Sequence, residues 1–184
     1  CRKSNNCKDY PQDIGCIFLG PTTRKIPRHI GHTATVEEAL AQVDKADDAG
    51  LSHIIGRNKI DTVWMNVRPG KGLLTICHCC PCCCLWKVYP NLDSEISDKL
   101  EKLDGVEVTL HEDKCRLCKK CLNEVCMFQA ISLKDNKISI DKENCKGCGL
   151  CTHACKFDAI TIDYTDETID NVVNRMDNLL EIRD

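Results

Sequence analysis

The chain has 184 residues, a formal net charge of −3 and 17 cysteines. An odd cysteine count with several adjacent cysteines is not typical of a secreted disulfide scaffold, which predicts free thiols in a reducing, anaerobic cytoplasm. The slightly negative charge, without a basic stripe, argues against nucleic-acid binding. No apolar run approaches the roughly 20 residues of a membrane span, and no secretory signal is expected.

Residues 1–95 are predicted to form a Cys-rich N-terminal domain with its own metal or iron–sulfur site. Glycines and prolines punctuate residues 1–34, which predicts irregular structure. A helix is predicted to begin after Thr35, because Thr35 and Glu38 stand at capping-box spacing, and to end at Gly50. Residues 51–75 have a mixed pattern that fits short strands or part of a second helix.

Six cysteines fall within the eight residues from Cys77 to Cys84. Cys77, Cys80 and Cys83 repeat at three-residue intervals, which favours a third iron–sulfur centre. Cys16 is the preferred fourth ligand, with Cys1 and Cys7 in reserve. Cys79, Cys82 and Cys84 are further candidate ligands. A larger iron–sulfur site, a zinc or copper site and a redox-active dithiol stay open, because thiolates do not choose sharply among soft metals. His78 is expected to be a solvated neighbour.

Residues 96–111 are predicted to lead into the next module. The spacing of Ile96, Leu100 and Leu103 predicts a helix over 94–103 that ends at Asp104–Gly105. Alternation over 106–110 predicts a strand that pairs with 160–162, and strands at 131–133 and 138–140 are predicted to pair across a turn.

A cysteine pattern occurs twice between residues 112 and 163. The first copy is Cys115, Cys118, Cys121 and Cys126, and the second is Cys145, Cys148, Cys151 and Cys155. Three thiolates at three-residue intervals suit one iron–sulfur cubane and leave one corner open for a fourth. Structural zinc instead favours paired Cys-x-x-Cys knuckles, so the spacing argues against it.

This stretch resembles the bacterial-type ferredoxins with two [4Fe–4S] clusters, in which the fourth cysteine of each run ligates the other cluster. The resemblance implies two ligand sets: Cys115, Cys118, Cys121 and Cys155 for cluster one, and Cys145, Cys148, Cys151 and Cys126 for cluster two. The sequence departs from the family in a first spacer (122–125) one residue longer than usual, and in Met127 and Lys156 where proline is usual.

A second resemblance covers most of the chain. Ala49–Gly50–Leu51, the Cys77–Cys84 run and the ferredoxin module are similar to a group of anaerobic iron–sulfur proteins with a Cys-Asn-Cys-Cys-x-Cys-Cys-Cys motif, with His78 replacing the usual Asn. The resemblance implies this architecture and an anaerobic setting, but no reaction.

Residues 164–184 are predicted to form an amphipathic helix, from the apolar stripe that includes Ile169, Val173 and Leu180. The fold class expected is α+β: a mixed Cys-rich domain, a pseudo-twofold ferredoxin-like module and this terminal helix. The expected function is one-electron transfer, as a carrier or relay subunit that serves a redox partner protein or an oxidoreductase complex. The alternatives are a catalytic subunit whose Cys77–Cys84 site performs reductive chemistry, and a redox or metal sensor.

Overall fold

The structure, a computed structural model, describes residues 1–180. The strands are β1 (Ile17–Leu19), β2 (Ser52–Gly56), β3 (Leu74–Cys79), β4 (Glu107–Leu110), β5 (Ile131–Lys134), β6 (Lys137–Ile140) and β7 (Ile160–Asp163). The α-helices are α1 (Val36–Asp48), α2 (Lys59–Trp64), α3 (Ser94–Ser97), α4 (Leu150–Ala154) and α5 (Asp166–Leu180). Short 3-10 helices cover Pro21–Lys25, Gly70–Gly72 and Leu85–Asn91, and a π-helix covers Cys121–Val125. The fold is α+β, as the sequence predicts.

The chain forms two compact units whose boundaries differ from the predicted domains. The first unit joins Cys1–Gln12 to Cys79–Ile169, and the second contains Asp13–His78 with the chain from Asp170 onward. The predicted boundary at residue 95 therefore falls inside the first unit, and the first 12 residues belong with the ferredoxin module.

The second unit contains a three-stranded sheet in the order β1-β3-β2. Strand β3 lies in the middle and pairs antiparallel with β1, placing Leu74 opposite Leu19. Leu74 is fully buried, as expected for an apolar residue on a central strand. A small core of Met65, Val67 and Leu73 packs in the same unit.

Helix α1 has the predicted cap. The Thr35 Oγ1 accepts a hydrogen bond from the Glu38 N–H at 3.2 Å, and the Glu38 carboxylate accepts one from the Thr35 N–H at 2.8 Å. Gly50 follows the helix with a φ of 67°, the left-handed conformation of a glycine C-cap. The mixed segment after it resolves into β2 and then α2, which Asn58 caps by accepting the Ile60 N–H.

The first unit contains the two predicted strand pairs of the ferredoxin region. Strand β4 pairs antiparallel with β7, and β5 pairs antiparallel with β6. Asp135 and Asn136 form the two-residue turn of the β5–β6 hairpin, with φ values of 48° and 59°. Two consecutive residues with positive φ suit a type I′ turn, which fits the twist of the flanking strands.

The helix predicted over 94–103 is much shorter in the structure. Helix α3 ends at Ser97, although Asp93 caps its start by accepting the Glu95 N–H. Ile96 and Leu103, expected to face inward, are 50% and 43% exposed. Helices of this length depend on burial of an apolar face, and without it the segment continues as irregular chain.

Helix α5 lies within the range predicted as a terminal helix, 164–184, of which residues 181–184 lie outside the described part. Thr165 and Thr168 exchange hydrogen bonds at its start, since the Thr168 N–H donates to Thr165 Oγ1 at 3.3 Å. No helix among the described residues is long and apolar enough to cross a membrane.

Candidate metal centres

The two cysteine loops of the ferredoxin region follow the same backbone path. Leu117 and Gly147, which stand at the same place in the two copies, both have a positive φ, at 52° and 62°. Lys119 and Gly149 form a second such pair, at 60° and 78°. Left-handed residues at matching positions turn each loop in the same way, so three thiols of each loop surround a common space.

The longer spacer of the first copy is absorbed by a π-turn. Residues Cys121–Val125 form a π-helix, in which the Cys126 N–H donates to the Cys121 carbonyl oxygen at 3.0 Å. The second copy has α4 in the same place. A π-turn accommodates one extra residue without breaking the helix, so Cys126 leaves its loop much as Cys155 does.

Cys126 and Cys155 also have matching hydrogen bonds. The Ala130 N–H donates to the Cys126 Sγ at 3.3 Å, and the Ala159 N–H donates to the Cys155 Sγ at 3.4 Å. Each fourth cysteine therefore has a backbone donor four residues later in the chain. Donors of this kind stabilise a thiolate and affect the potential of a cluster that it binds.

Two cavities lie in the module, and each contains four cysteines. One has an open volume of about 380 Å³ and the other about 420 Å³, so the two spaces are similar in size. The first cavity is lined by Cys115, Cys118, Cys121 and Cys155. The second is lined by Cys126, Cys145, Cys148 and Cys151. These sets are the ones that the resemblance implies for cluster one and cluster two.

The two cavities differ in charge and burial. Exposed basic residues Arg116, Lys119 and Lys120 line the first, whereas the second has the half-buried Lys146. Burial, reinforced by neighbouring cysteines, raises the pKa of Cys148 to about 11 and that of Cys151 to about 12. Thiols with raised pKa values must lose their protons to solvent when the sulfurs bind iron, which couples cluster binding to pH.

The six cysteines of the Cys77–Cys84 run do not share one site, because they contact different residues. The Sγ atoms of Cys7, Cys80, Cys82 and Cys83 all lie within 4.8 Å of one another. The predicted set was Cys16, Cys77, Cys80 and Cys83, so the structure brings two of its members together and adds Cys82 and the reserve residue Cys7.

The other predicted cysteines form pairs. Cys16 and Cys77 are hydrogen-bonded to each other, which raises the pKa of Cys16. The Cys79 and Cys84 thiols, both buried, lie 2.9 Å apart.

His78 is buried, although the sequence predicted a solvated residue. It is 4% exposed, and its Nδ1 lies 3.0 Å from the Nδ1 of His53. The reason is its place in β3, the central strand of its sheet. No local signal in the cysteine run indicates this, because burial there depends on the strands on either side.

Comparisons with known proteins agree with the geometry of the module. Residues 101–166 match the 4Fe-4S dicluster domain family. Over 115 residues (59% of this chain, 34% of the relative) the chain is 30% identical to an isethionate sulfite-lyase activating enzyme of Oleidesulfovibrio alaskensis. Over 74 residues (39% of this chain, 46% of the relative) it is 36% identical to an uncharacterized ferredoxin of Methanocaldococcus jannaschii. Over 56 residues (30% of this chain, 9% of the relative) it is 41% identical to the indolepyruvate oxidoreductase subunit IorA of Methanothermobacter marburgensis.

The chain thus spans less than half the length of each of these relatives. The family match covers the strands β4 to β7 and all eight cysteines of the repeat. Two cavities of similar size, each with four thiols, are suited to two cubanes. Residues 101–166 are therefore a ferredoxin module for two [4Fe–4S] clusters, and its role is iron–sulfur electron transfer.

Proposed function

We propose that the chain is a one-electron relay in which each cavity of the module holds one cluster. Cluster one would be bound by Cys115, Cys118, Cys121 and Cys155, and cluster two by Cys145, Cys148, Cys151 and Cys126. The observation that carries the proposal is the lining of the two cavities, which sorts the eight cysteines into these sets. When bound, a [4Fe–4S] cluster takes up and releases one electron without a substrate pocket.

Apolar side chains from both halves of the module keep water away from the cysteines. Phe128, Ile131 and Leu150 line the second cavity and are buried. Ile138 and Ile160 do the same in the first. A dry surrounding disfavours added charge, while the N–H donors to the cysteine sulfurs favour it, and the balance of the two sets the potential.

The two sites are connected through two short pieces of backbone, one in each copy of the repeat. Cys121 belongs to the first set and Cys126 to the second, and both lie at the ends of the π-turn, joined by a hydrogen bond. In the second copy, Cys151 of the second set and Cys155 of the first are likewise one turn apart, at α4, so each copy links the ligands of both clusters. Such a link favours a relay in which an electron moves between the sites.

The first site has the more accessible edge. Cys118 is exposed, as are Arg116, Lys119 and Lys120 around it. We propose that this edge exchanges electrons with a redox partner protein or within an oxidoreductase complex, in an anaerobic or strongly reducing cytoplasm. The similarity to an oxidoreductase subunit supports a role inside a complex.

The experiment that tests the relay is a reductive titration of anaerobically purified protein, followed by electron paramagnetic resonance (EPR). The expected result is about eight iron and eight acid-labile sulfide in the module, with two electrons taken up and passed to a one-electron acceptor, because each cubane contains four iron. Uptake of fewer than two electrons by fully loaded protein would overturn the proposal.

A variant separates the relay from the catalytic alternative. Cys80→Ala/Cys83→Ala leaves the eight cysteines of the module untouched. A relay should therefore still transfer both electrons at an unchanged rate. Loss of transfer in this variant, with both clusters present and reducible, would instead indicate that the Cys77–Cys84 region performs the chemistry.

A further inference from the structure

A compact set of four thiols lies outside the ferredoxin module's two cavities. It consists of Cys7, Cys80, Cys82 and Cys83, and is called the thiol quartet below. The Cys82 Sγ lies 3.5 Å from the Sγ of Cys7 and 3.5 Å from that of Cys80. A tetrahedral ion with metal–sulfur bonds of about 2.3 Å places its sulfurs roughly 3.8 Å apart, close to these distances.

The ferredoxin cysteines provide an internal comparison. In a cubane, each thiolate binds a different iron, and the iron and sulfide atoms between them keep the thiolates apart. Among residues 1–180, the thiol quartet meets the spacing needed around one ion, and neither set of ferredoxin cysteines does. The same chain therefore contains two kinds of four-cysteine geometry, one wide and one narrow.

We propose that the thiol quartet binds a single divalent ion, zinc or ferrous iron, rather than a third cubane. Four thiolates around one such ion fill its coordination, since tetrahedral S₄ sites suit these metals. Cys7 and Cys80 are buried. A site with four protein ligands and no open position is typical of a structural ion.

The loop that presents Cys7 is held in place by its own hydrogen bonds. The Cys7 N–H donates to the Arg2 carbonyl oxygen at 2.9 Å, and the Gln12 side-chain amide donates to the Cys7 carbonyl oxygen at 2.8 Å. The Arg2 Nε–H donates to the Pro11 carbonyl oxygen at 2.7 Å. These bonds fold residues 1–12 into a closed loop with the thiol of Cys7 inside.

A backbone donor also points at one of the sulfurs. The Cys83 N–H donates to the Cys80 Sγ at 3.4 Å. Donors around a ligand sulfur orient and stabilise the bound thiolate. An ion held by four thiolates has a net charge of about −2, and the nearby Lys87, whose Nζ donates to the Cys82 carbonyl oxygen, offsets part of it.

The ion would connect two distant parts of the sequence. Cys7 and Cys82 are 75 residues apart, and the quartet joins the first 12 residues to the start of the 79–169 segment. The function of the site would be to fix residues 1–12 against the turn that contains Cys80, Cys82 and Cys83. That role goes beyond the electron relay and does not depend on it.

The test is elemental analysis of full-length, anaerobically purified protein. We expect about one zinc or iron per chain in excess of the eight iron and eight labile sulfide of the module. Cys7→Ser should lose this one ion and keep eight labile sulfide. The matched control is Cys16→Ser, which removes the fourth ligand preferred from sequence and should keep the extra ion.

Two further measurements and one substitute variant keep the test decisive. X-ray absorption at the extra metal should show sulfur at about 2.3 Å and no neighbouring metal. Cys82→Ser, at a half-buried position, serves if Cys7→Ser does not fold. Trypsin should cut after Lys3 and Lys8 faster in either ligand variant than in Cys16→Ser, because the loop is released.

Two results would overturn the inference. About 12 iron and 12 labile sulfide, falling by four of each in Cys7→Ser, would establish a third cubane. Eight iron and no further metal would mean that the quartet binds none. Reduction of the ferredoxin clusters is measured separately by EPR, so either result leaves the relay proposal to its own test.

Discussion

Gly149 and Lys119 provide a matched test of how backbone conformation stabilises the two cluster loops. Both residues directly follow the second cysteine of their loop, and their φ values are 78° and 60°. A left-handed conformation costs a residue with a Cβ about 1–2 kcal/mol relative to glycine. At Gly149 an added Cβ would meet nothing closer than the Thr152 Oγ1, at 3.9 Å, so the cost there is conformational alone.

Gly149→Ala should therefore lower the free energy of unfolding by about 1–2 kcal/mol. Lys119→Gly should raise it by about 1 kcal/mol, since it removes the same strain but adds the flexibility of glycine to the unfolded chain. The two substitutions should change the free energy of unfolding in opposite directions at equivalent positions. The sign of each change is therefore as informative as its size.

The assay is the rate of cluster loss at a fixed elevated temperature under anaerobic conditions, followed by visible absorbance. A rate is the appropriate measure because cluster loss makes unfolding irreversible. About 1.4 kcal/mol corresponds to a factor of ten in rate. Gly149→Ala should lose its clusters up to about thirtyfold faster than the unmodified protein, and Lys119→Gly should lose them more slowly.

Gly147→Ala is the steric counterpart. A Cβ there would lie 2.9 Å from the Lys102 Cγ and 3.0 Å from the Val106 Cγ1, and φ is 62°. It should accelerate cluster loss more than Gly149→Ala does, because crowding adds to the strain. The reasoning is refuted if Gly149→Ala and Lys119→Gly change the rate in the same direction, or if neither changes it.

Three other outcomes are expected. Cys155→Ser should alter the EPR signal of the same cluster as Cys115→Ser; an effect on the other cluster alone would contradict the proposed ligand sets. Burial raises the pKa of Asp61, although the Thr75 hydroxyl donates to it at 2.8 Å. The folded state thus holds this proton more tightly than the unfolded state, and stability falls as pH rises from about 4 through the raised pKa. Asp61→Asn should therefore raise the melting temperature at pH 7 and not at pH 3; an equal shift at both would argue against titration. Leu74→Ala, at a fully buried position, should cost about 2–5 kcal/mol in a denaturant titration, whereas a loss below about 1 kcal/mol would contradict its central place in the sheet.

Local patterns predicted the parts of the fold that depend on local chemistry. The cap of α1 needs Thr35 and Glu38 three residues apart, and the β5–β6 hairpin needs alternation on both sides of Asp135–Asn136. The two cysteine repeats indicated the ferredoxin module, because ligand spacing along a loop limits which metal site it can surround. In each case the residues that decide the structure are neighbours in sequence.

The parts that could not be predicted depend on contacts between distant residues. Cys7 joins Cys82 across 75 residues, and no spacing rule selects it over Cys16. The three-residue interval that favoured Cys77 has no such meaning there, because Cys77 lies in strand β3. Likewise, the apolar spacing at 94–103 predicted a helix whose inward face finds too little to pack against.

The unequal charge around the two cavities has a consequence for a chain that carries only one electron. Three cationic side chains, Arg116, Lys119 and Lys120, surround the first cavity, and one, Lys146, lines the second. Positive charge stabilises the more negative, reduced form of a cluster, so we expect the lone electron to reside mostly at the first site. The half-reduced molecule would then be polarised, with its electron at the exposed edge, and in the fully reduced molecule the more buried site would supply the second electron after the first departs.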